Sequence, residues 1–234
     1  MASKPIVLIL GAGPRVGASL TTKFSTLNYN IALASRSGTN TLNASGYLSL
    51  RADFKDPSSI APLFVAVKKE FHAYPSVVIY NAGTLTPPPD KESLLSVPVD
   101  SVVGDLAVNT VSPYVAAQQA VLGWETLPKE MEKRFIFTGN ITNVQIVPMP
   151  LFLTAGIGKA ASAFWVGLAD AMYKSKGYRF FYADERTEEG KLKGFALDGD
   201  AHGEFYAQLA KPEDGAEIPW NATFVKGKGY VKFE

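Results

Sequence analysis

Ile6-Val-Leu-Ile-Leu10 runs without a break into Gly11-Ala-Gly13-Pro-Arg-Val-Gly17, and a helical pattern opens at Val16. The first five residues are all apolar, as in a strand covered on both faces. A strand, a glycine-rich turn and a helix N-terminus, in that order, make an anion site. Glycines let the backbone approach a pyrophosphate, and the helix dipole favours its charge. The stretch predicts a nucleotide-binding α/β protein with Gly11, Gly13, Arg15, Val16 and Gly17 around the phosphates.

Outward from this loop, short β-branched runs alternate with longer helical patterns. Strands are expected over 5–10, 30–34, 47–51, 76–80, 133–138, 178–182 and 222–225. Helices are expected over 16–27, 57–71, 101–125, 151–175 and 202–209. The alternation predicts one domain over 1–234, a doubly wound parallel sheet of about seven strands with helices on both faces. Asp56-Pro57 is a helix start, Asp as N-cap and Pro as first helical residue. The helix from Leu151 is rich in Ala and Gly, which suggests close approach to another helix or a ligand.

Composition narrows the function. The chain has 234 residues, 47% hydrophobic and 19% charged, with net charge +1 and no Cys. Disulfides, thiol catalysis and Cys-ligated metals are excluded. Near-neutral charge does not favour a nucleic acid or an anionic membrane as partner. His72 and His202 are too far apart in sequence to suggest a zinc site, so no metal is expected. No uninterrupted apolar run reaches the roughly 20 residues of a membrane span. The run after Met1 is too short for a secretory signal, so a cytoplasmic protein is expected. Asn43, Asn140 and Asn221 fit the glycosylation pattern, which carries no weight without secretion.

The loop resembles that of the short-chain dehydrogenase/reductase superfamily, Thr-Gly-x-x-x-Gly-x-Gly, with Leu10 at the Thr position and Arg15 at the middle Gly. Further pieces follow in the family's order. Asp53-Phe54 resembles the Asp-hydrophobic pair that meets adenine. Asn81-Ala82-Gly83 is the family's Asn-Ala-Gly. Asn109 resembles the active-site helix Asn, and Lys159-Ala160-Ala161 the catalytic Lys-Ala-Ala. The resemblance covers essentially the whole chain and implies a Rossmann-type fold, a nicotinamide dinucleotide cofactor and a small-molecule substrate.

An acid at the end of the second strand would hold the ribose hydroxyls of NAD. The segment reads Ile31-Ala-Leu-Ala-Ser-Arg36, and a guanidinium there suits a 2′-phosphate. Arg36 and Arg15 therefore point to NADP(H). The family's proton donor is a Tyr four residues before the Lys, and that position is Ala155. The family's Ser aligns with Thr142, or with Thr138 in an alternate alignment; either Thr also fits a strand end bonding its own backbone. Thr187 is placed to reach the nicotinamide or pyrophosphate. The expected catalytic set is Lys159, Asn109 and Thr142.

Two functions fit. One is an NADP(H)-dependent oxidoreductase acting on a small apolar carbonyl or imine, with a non-standard proton donor drawn from Tyr182, Asp184, Glu185 or His202. The other is an NADP(H)-binding protein without redox turnover. A pocket is expected among segments 84–96, 143–153 and 184–200, with Met149, Phe152 and Trp165 making it apolar. The resemblance also implies a homodimer or homotetramer built on the 101–125 and 151–175 helices.

Overall fold

The computed structural model describes residues 4–211 and 217–233. The strands are β1 Ile6–Leu10, β2 Asn30–Ser35, β3 Thr41–Leu42, β4 Leu48–Arg51, β5 Val77–Tyr80, β6 Lys133–Thr138, β7 Tyr178–Glu185, β8 Asn221–Val225 and β9 Gly229–Tyr230. They form a single sheet in the order β3-β4-β2-β1-β5-β6-β7-β8-β9. The seven expected strands are all present and pair in parallel. The two additional strands pair antiparallel at the edges. Each has only two residues, too short for an alternating pattern, so the expected seven becomes nine. The fold is Rossmann-like, with helices on both faces.

β1 shows why its sequence is apolar throughout. Ile6, Leu8 and Leu10 belong to one core cluster, with Leu63, Phe64, Trp124 and Val166. Val7 and Ile9 belong to the other, with Leu20, Phe24, Phe205 and Leu209. The first cluster carries helices α2 (Ala61–Phe71), α4 (Ser112–Trp124) and α5 (Leu153–Tyr173). The second carries α1 (Val16–Thr26) and α6 (Gly199–Ala210).

Asp56 caps a 3-10 turn, Pro57–Ser59, by accepting from the Ser58 amide at 2.9 Å. The expected 101–125 helix is three pieces. α3 (Val99–Leu106) passes through a π-helical turn, Ala107–Val111, into α4. The π turn disturbs the regular carbonyl bonding. The Tyr80 hydroxyl donates to the Val108 carbonyl at 2.6 Å, and the Ser162 hydroxyl to that of Asn109 at 2.7 Å. α5 packs closely here: a Cβ at Gly158 would lie 2.5 Å from the Asn109 Cβ.

With its flanking 3-10 turns, α5 makes a 27-residue helical unit, Pro150–Lys176, apolar and long enough to cross a membrane by those two criteria. The sequence reading missed this because single polar residues interrupt the run. Two of these, Thr154 and Asp170, are buried, and Asp170 pairs with Arg179 of β7 at 2.8 Å. The helix packs along β7 as a core element.

Candidate active site

Strand order reverses between β1 and β5, the topological switch point where open α/β sheets bind ligands beyond their strand ends. A cleft of about 990 Å³ lies there, at the C-terminal ends of β1, β2, β5, β6 and β7. At its glycine-loop end Gly11 has φ +96°, and a Cβ on it would meet the Ala82 nitrogen at 2.4 Å. A Cβ on Gly17 would meet the Ala12 backbone at 2.8 Å. One on Gly13 would meet nothing within 4 Å. Two glycines are thus demanded by packing, while the third leaves open space toward the cleft. That cradle fits a dinucleotide pyrophosphate. The Asn81 amide donates to the Gly11 carbonyl at 2.9 Å, and Ala82 and Gly83 line the adjoining wall.

Arg36 is exposed on the cleft between Ser35 and Ser37. Asp53 is exposed there too, and Phe54 packs edge-on against Tyr80 with centroids 5.8 Å apart. Arg15 lines the cleft with Val16, and its Nη1 donates to the Phe195 carbonyl at 2.9 Å, bridging phosphate loop and 186–198 segment.

At the other end Ala155 and Lys159 share one face of α5 and both line the cleft. The Lys159 ammonium donates to the carbonyls of Thr138 at 2.8 Å and Gly139 at 3.3 Å. Burial lowers its pKa to about 8, against an opposing contribution from the Asp184 charge. The neighbouring hydroxyl of Thr154 is engaged with the Thr86 amide at 3.2 Å.

Three expected site residues take other roles. Asn109 is buried and absent from the cleft wall; its amide brackets Thr84, accepting from the nitrogen at 3.1 Å and donating to the oxygen at 2.8 Å. Thr142 is also absent from the wall, and its hydroxyl donates to Asn140 Oδ1 at 2.5 Å. Thr187 closes a small hairpin, its amide donating to the Lys191 carbonyl at 3.0 Å, and does not line the cleft. The alternate Thr138 does line it, but its hydroxyl donates to Asn81 Oδ1 at 3.1 Å and accepts from Tyr206 at 2.9 Å.

The expected substitute acids lie in or against β7, which runs three residues past its expected end. They are therefore buried rather than loop-exposed. Tyr182 is sealed, and burial drives its pKa far up, as it does for Tyr206. Asp184 pairs with Arg186; burial raises its pKa to about 6. Glu185 reaches the cleft wall, is also raised by burial, accepts from the Asp198 amide at 2.8 Å and faces Lys193 at 3.3 Å. Burial lowers His202 to about 4; its Nδ1 meets the Asp198 carbonyl at 2.7 Å.

Of the expected apolar wall, Phe152 is present, stacked on Phe195 with centroids 6.4 Å apart. Met149 is half-exposed outside it, and Trp165 packs between Tyr114 and Phe135. Leu192, Phe195 and Leu197 of the expected 184–200 segment lie on the wall, whereas Asn140, also on it, was missed by the sequence reading. Asn140 had one local signal: an Asn two residues before Thr142 suits an Asx-turn, and its Oδ1 accepts from the Thr142 amide at 3.0 Å.

No family model matches the chain. It is 37% identical to the short chain dehydrogenase/reductase dmxR12 of Cryptosporiopsis sp., over 99% of this chain and 96% of that protein. A short-chain dehydrogenase/reductase from Serratia marcescens superposes with TM-score 0.75 at 19% identity, covering 95% of this chain and 96% of the other. A metagenomic short-chain oxidoreductase in complex with NADP gives 0.76 at 16%, with coverage of 95% and 96%. A Brucella ovis oxidoreductase with a partially ordered NAD gives 0.72 at 15%, with coverage of 95% and 99%. These solved structures share the fold; the relative at 37% identity, matched over nearly its full length, shows that the chain belongs to the short-chain dehydrogenase/reductase family.

Proposed function

We propose that the protein is an NADP(H)-dependent reductase of a small apolar carbonyl or imine, working without the family's tyrosine. The observation that carries this reading is the Lys159 ammonium, held at the cleft wall one helical turn from Ala155. The glycine cradle and Asn81 would hold the pyrophosphate, Arg36 the 2′-phosphate, Phe54 the adenine and Lys159 the nicotinamide ribose. The bound cofactor supplies a hydride. Lys159, near pKa 8, is about nine-tenths protonated at pH 7 and has the acidity a general acid needs near neutrality. An iminium substrate would need no proton at all. Phe152, Phe195 and Leu197 supply an apolar wall suited to an apolar substrate.

NADPH fluorescence followed across a panel of carbonyls and cyclic imines tests this, with consumption the expected result. Binding without consumption anywhere would favour a non-redox NADP(H)-binding protein. The observation favouring that second reading is that Tyr182 and Tyr206, the tyrosines beneath the site, are both sealed in the core. A cytoplasmic homodimer or homotetramer completes the proposal.

A further inference from the structure

We propose that Asn140 is a catalytic residue whose side-chain amide Nδ2 binds the substrate oxygen. This assignment rests on the reductase reading above. Both hydroxyls that align with the family's Ser are committed to protein partners: Thr142 donates to Asn140 Oδ1, and Thr138 to Asn81 Oδ1. Asn140, between them, lines the cleft.

Its backbone cannot be what meets the ligand. The Asn140 amide donates to the Tyr182 hydroxyl at 3.0 Å, and its carbonyl accepts from the same hydroxyl at 2.8 Å. Tyr182 is fully buried, so both backbone groups point inward and the side chain is left on the wall. The orientation of its amide is determined as well. A backbone N–H can only donate, so the side-chain atom that meets the Thr142 amide at 3.0 Å is Oδ1. Nδ2 is therefore the opposite end, and among the described residues it makes no hydrogen bond. It is also absent from the buried unpaired atoms, as expected of a donor open to the cleft.

Three features hold the donor rigid. Oδ1 is gripped by two groups of Thr142. The backbone is clamped by Tyr182. The preceding Gly139 lies under the Tyr182 ring, where a Cβ would come within 2.2 Å of the ring carbon Cε1. A preorganised donor of this kind acts where charge develops and costs no reorganisation. Lys159 Nζ sits 3.3 Å from the Gly139 carbonyl, one peptide link from Asn140, and both residues line the same cleft. In the step they would serve, the carbonyl carbon would gain a C–H bond as the C4–H bond of a bound reduced nicotinamide breaks, the carbonyl being reduced and the nicotinamide oxidised by two electrons. The C=O π pair moves to oxygen, held by Nδ2. The alkoxide takes a proton from the Lys159 ammonium, which water reprotonates.

The test is Asn140→Asp, which keeps the oxygen that accepts from Thr142 and removes both amide hydrogens. Wild type and variant are assayed with NADPH and isatin or acetophenone, whichever wild type turns over faster. A cyclic imine, which has no oxygen for Nδ2 to bind, probes turnover alone, and reduction of the imine only overturns the assignment. The expected result is a kcat loss of about 100-fold, the scale of an oxyanion-site donor, with KM changed less than about threefold. NADPH affinity by fluorescence titration should hold within about twofold, reporting an intact fold. Asn140→Ser, which retains a donor hydrogen, should recover roughly tenfold of the loss. An unchanged kcat in Asn140→Asp, or a larger loss in Thr142→Val, overturns the assignment while leaving the reductase reading intact. Wild type that binds NADPH but turns over none of the probes overturns the reductase reading, and the assignment falls with it.

Discussion

At the scale of single residues, the site is defined by one absence and two cations. Position 155 carries a methyl group where the resemblance places the family's phenol, and Lys159 lines the same cleft wall. Ala155→Tyr would put a phenol one turn from the ammonium. General acid catalysis is worth typically 10²–10⁴-fold, so a gain of ~10-fold in reduction of a simple activated ketone is expected with imperfect geometry. Steady-state NADPH oxidation checks it; a folded, NADPH-binding variant with no gain would show that the pocket has been rebuilt. Lys159 also sets a pH limb. Its protonated form predominates below about pH 8 and is lost above, so kcat should decline as pH rises through 8. Lys159→Arg, which stays charged but cannot release a proton, should lower kcat and leave the residual activity without that limb. Arg36 is the second cation. NADPH should bind ~10-fold tighter than NADH, about 1.4 kcal/mol, and Arg36→Asp should erase the difference in parallel titrations. Equal wild-type affinities would remove Arg36 from the cofactor site.

At the scale of elements, β7 and the π turn depart most from expectation. By running on to Glu185, β7 brings Asp184 and Glu185 into the core against His202 of α6. Burying ionisable groups makes stability depend on pH. His202 titrates near 4 in the fold against 6.5 in the open chain, so between these values the unfolded state binds the extra proton. Stability is lost as pH falls through that window, by about 3 kcal/mol in all. Asp184 works the other way: near 6 in the fold and 3.8 when unfolded, it stabilises on acidification. The two offset each other in wild type. His202→Phe should expose the Asp184 contribution. Urea unfolding at pH 6.5 and 4.5 should then show the variant gaining roughly 2–3 kcal/mol on wild type between the two values. A constant difference would mean that His202 is not held neutral in the fold.

At the scale of the whole molecule, one surface carries a run of exposed apolar side chains. Ile157, Phe164, Leu168 and Met172 recur every four to seven positions along α5 and stand 46%, 75%, 54% and 67% exposed. Val111, Tyr114 and Leu122 repeat the pattern beside them, from the π turn through α4. Contiguous exposed apolar stripes of this kind mark association surfaces. Light scattering should give two or four times the 25.2 kDa chain mass, and Phe164→Glu with Leu168→Glu should bring it to one. A wild-type monomer at micromolar concentration would contradict this.

The phosphate loop was legible in the sequence because it is local. Strand, glycine turn and helix lie within twelve residues, and each glycine's job is decided by backbone a few atoms away or by the strand alongside. The seven parallel strands were legible for a related reason: burial on both faces leaves an unbroken apolar run. Which polar group faces the substrate was not legible. Thr138 is withdrawn by Asn81 and Tyr206, 57 and 68 positions distant, and Asn140 is clamped by Tyr182, 42 positions on. Thr187 left the site because β7 runs on and turns into a hairpin. A hydroxyl's availability depends on what else it can bond to, and in a doubly wound sheet those partners come from strands and helices far along the chain. Local sequence determined the glycine loop between β1 and α1; tertiary structure decided which polar side chains line the cleft.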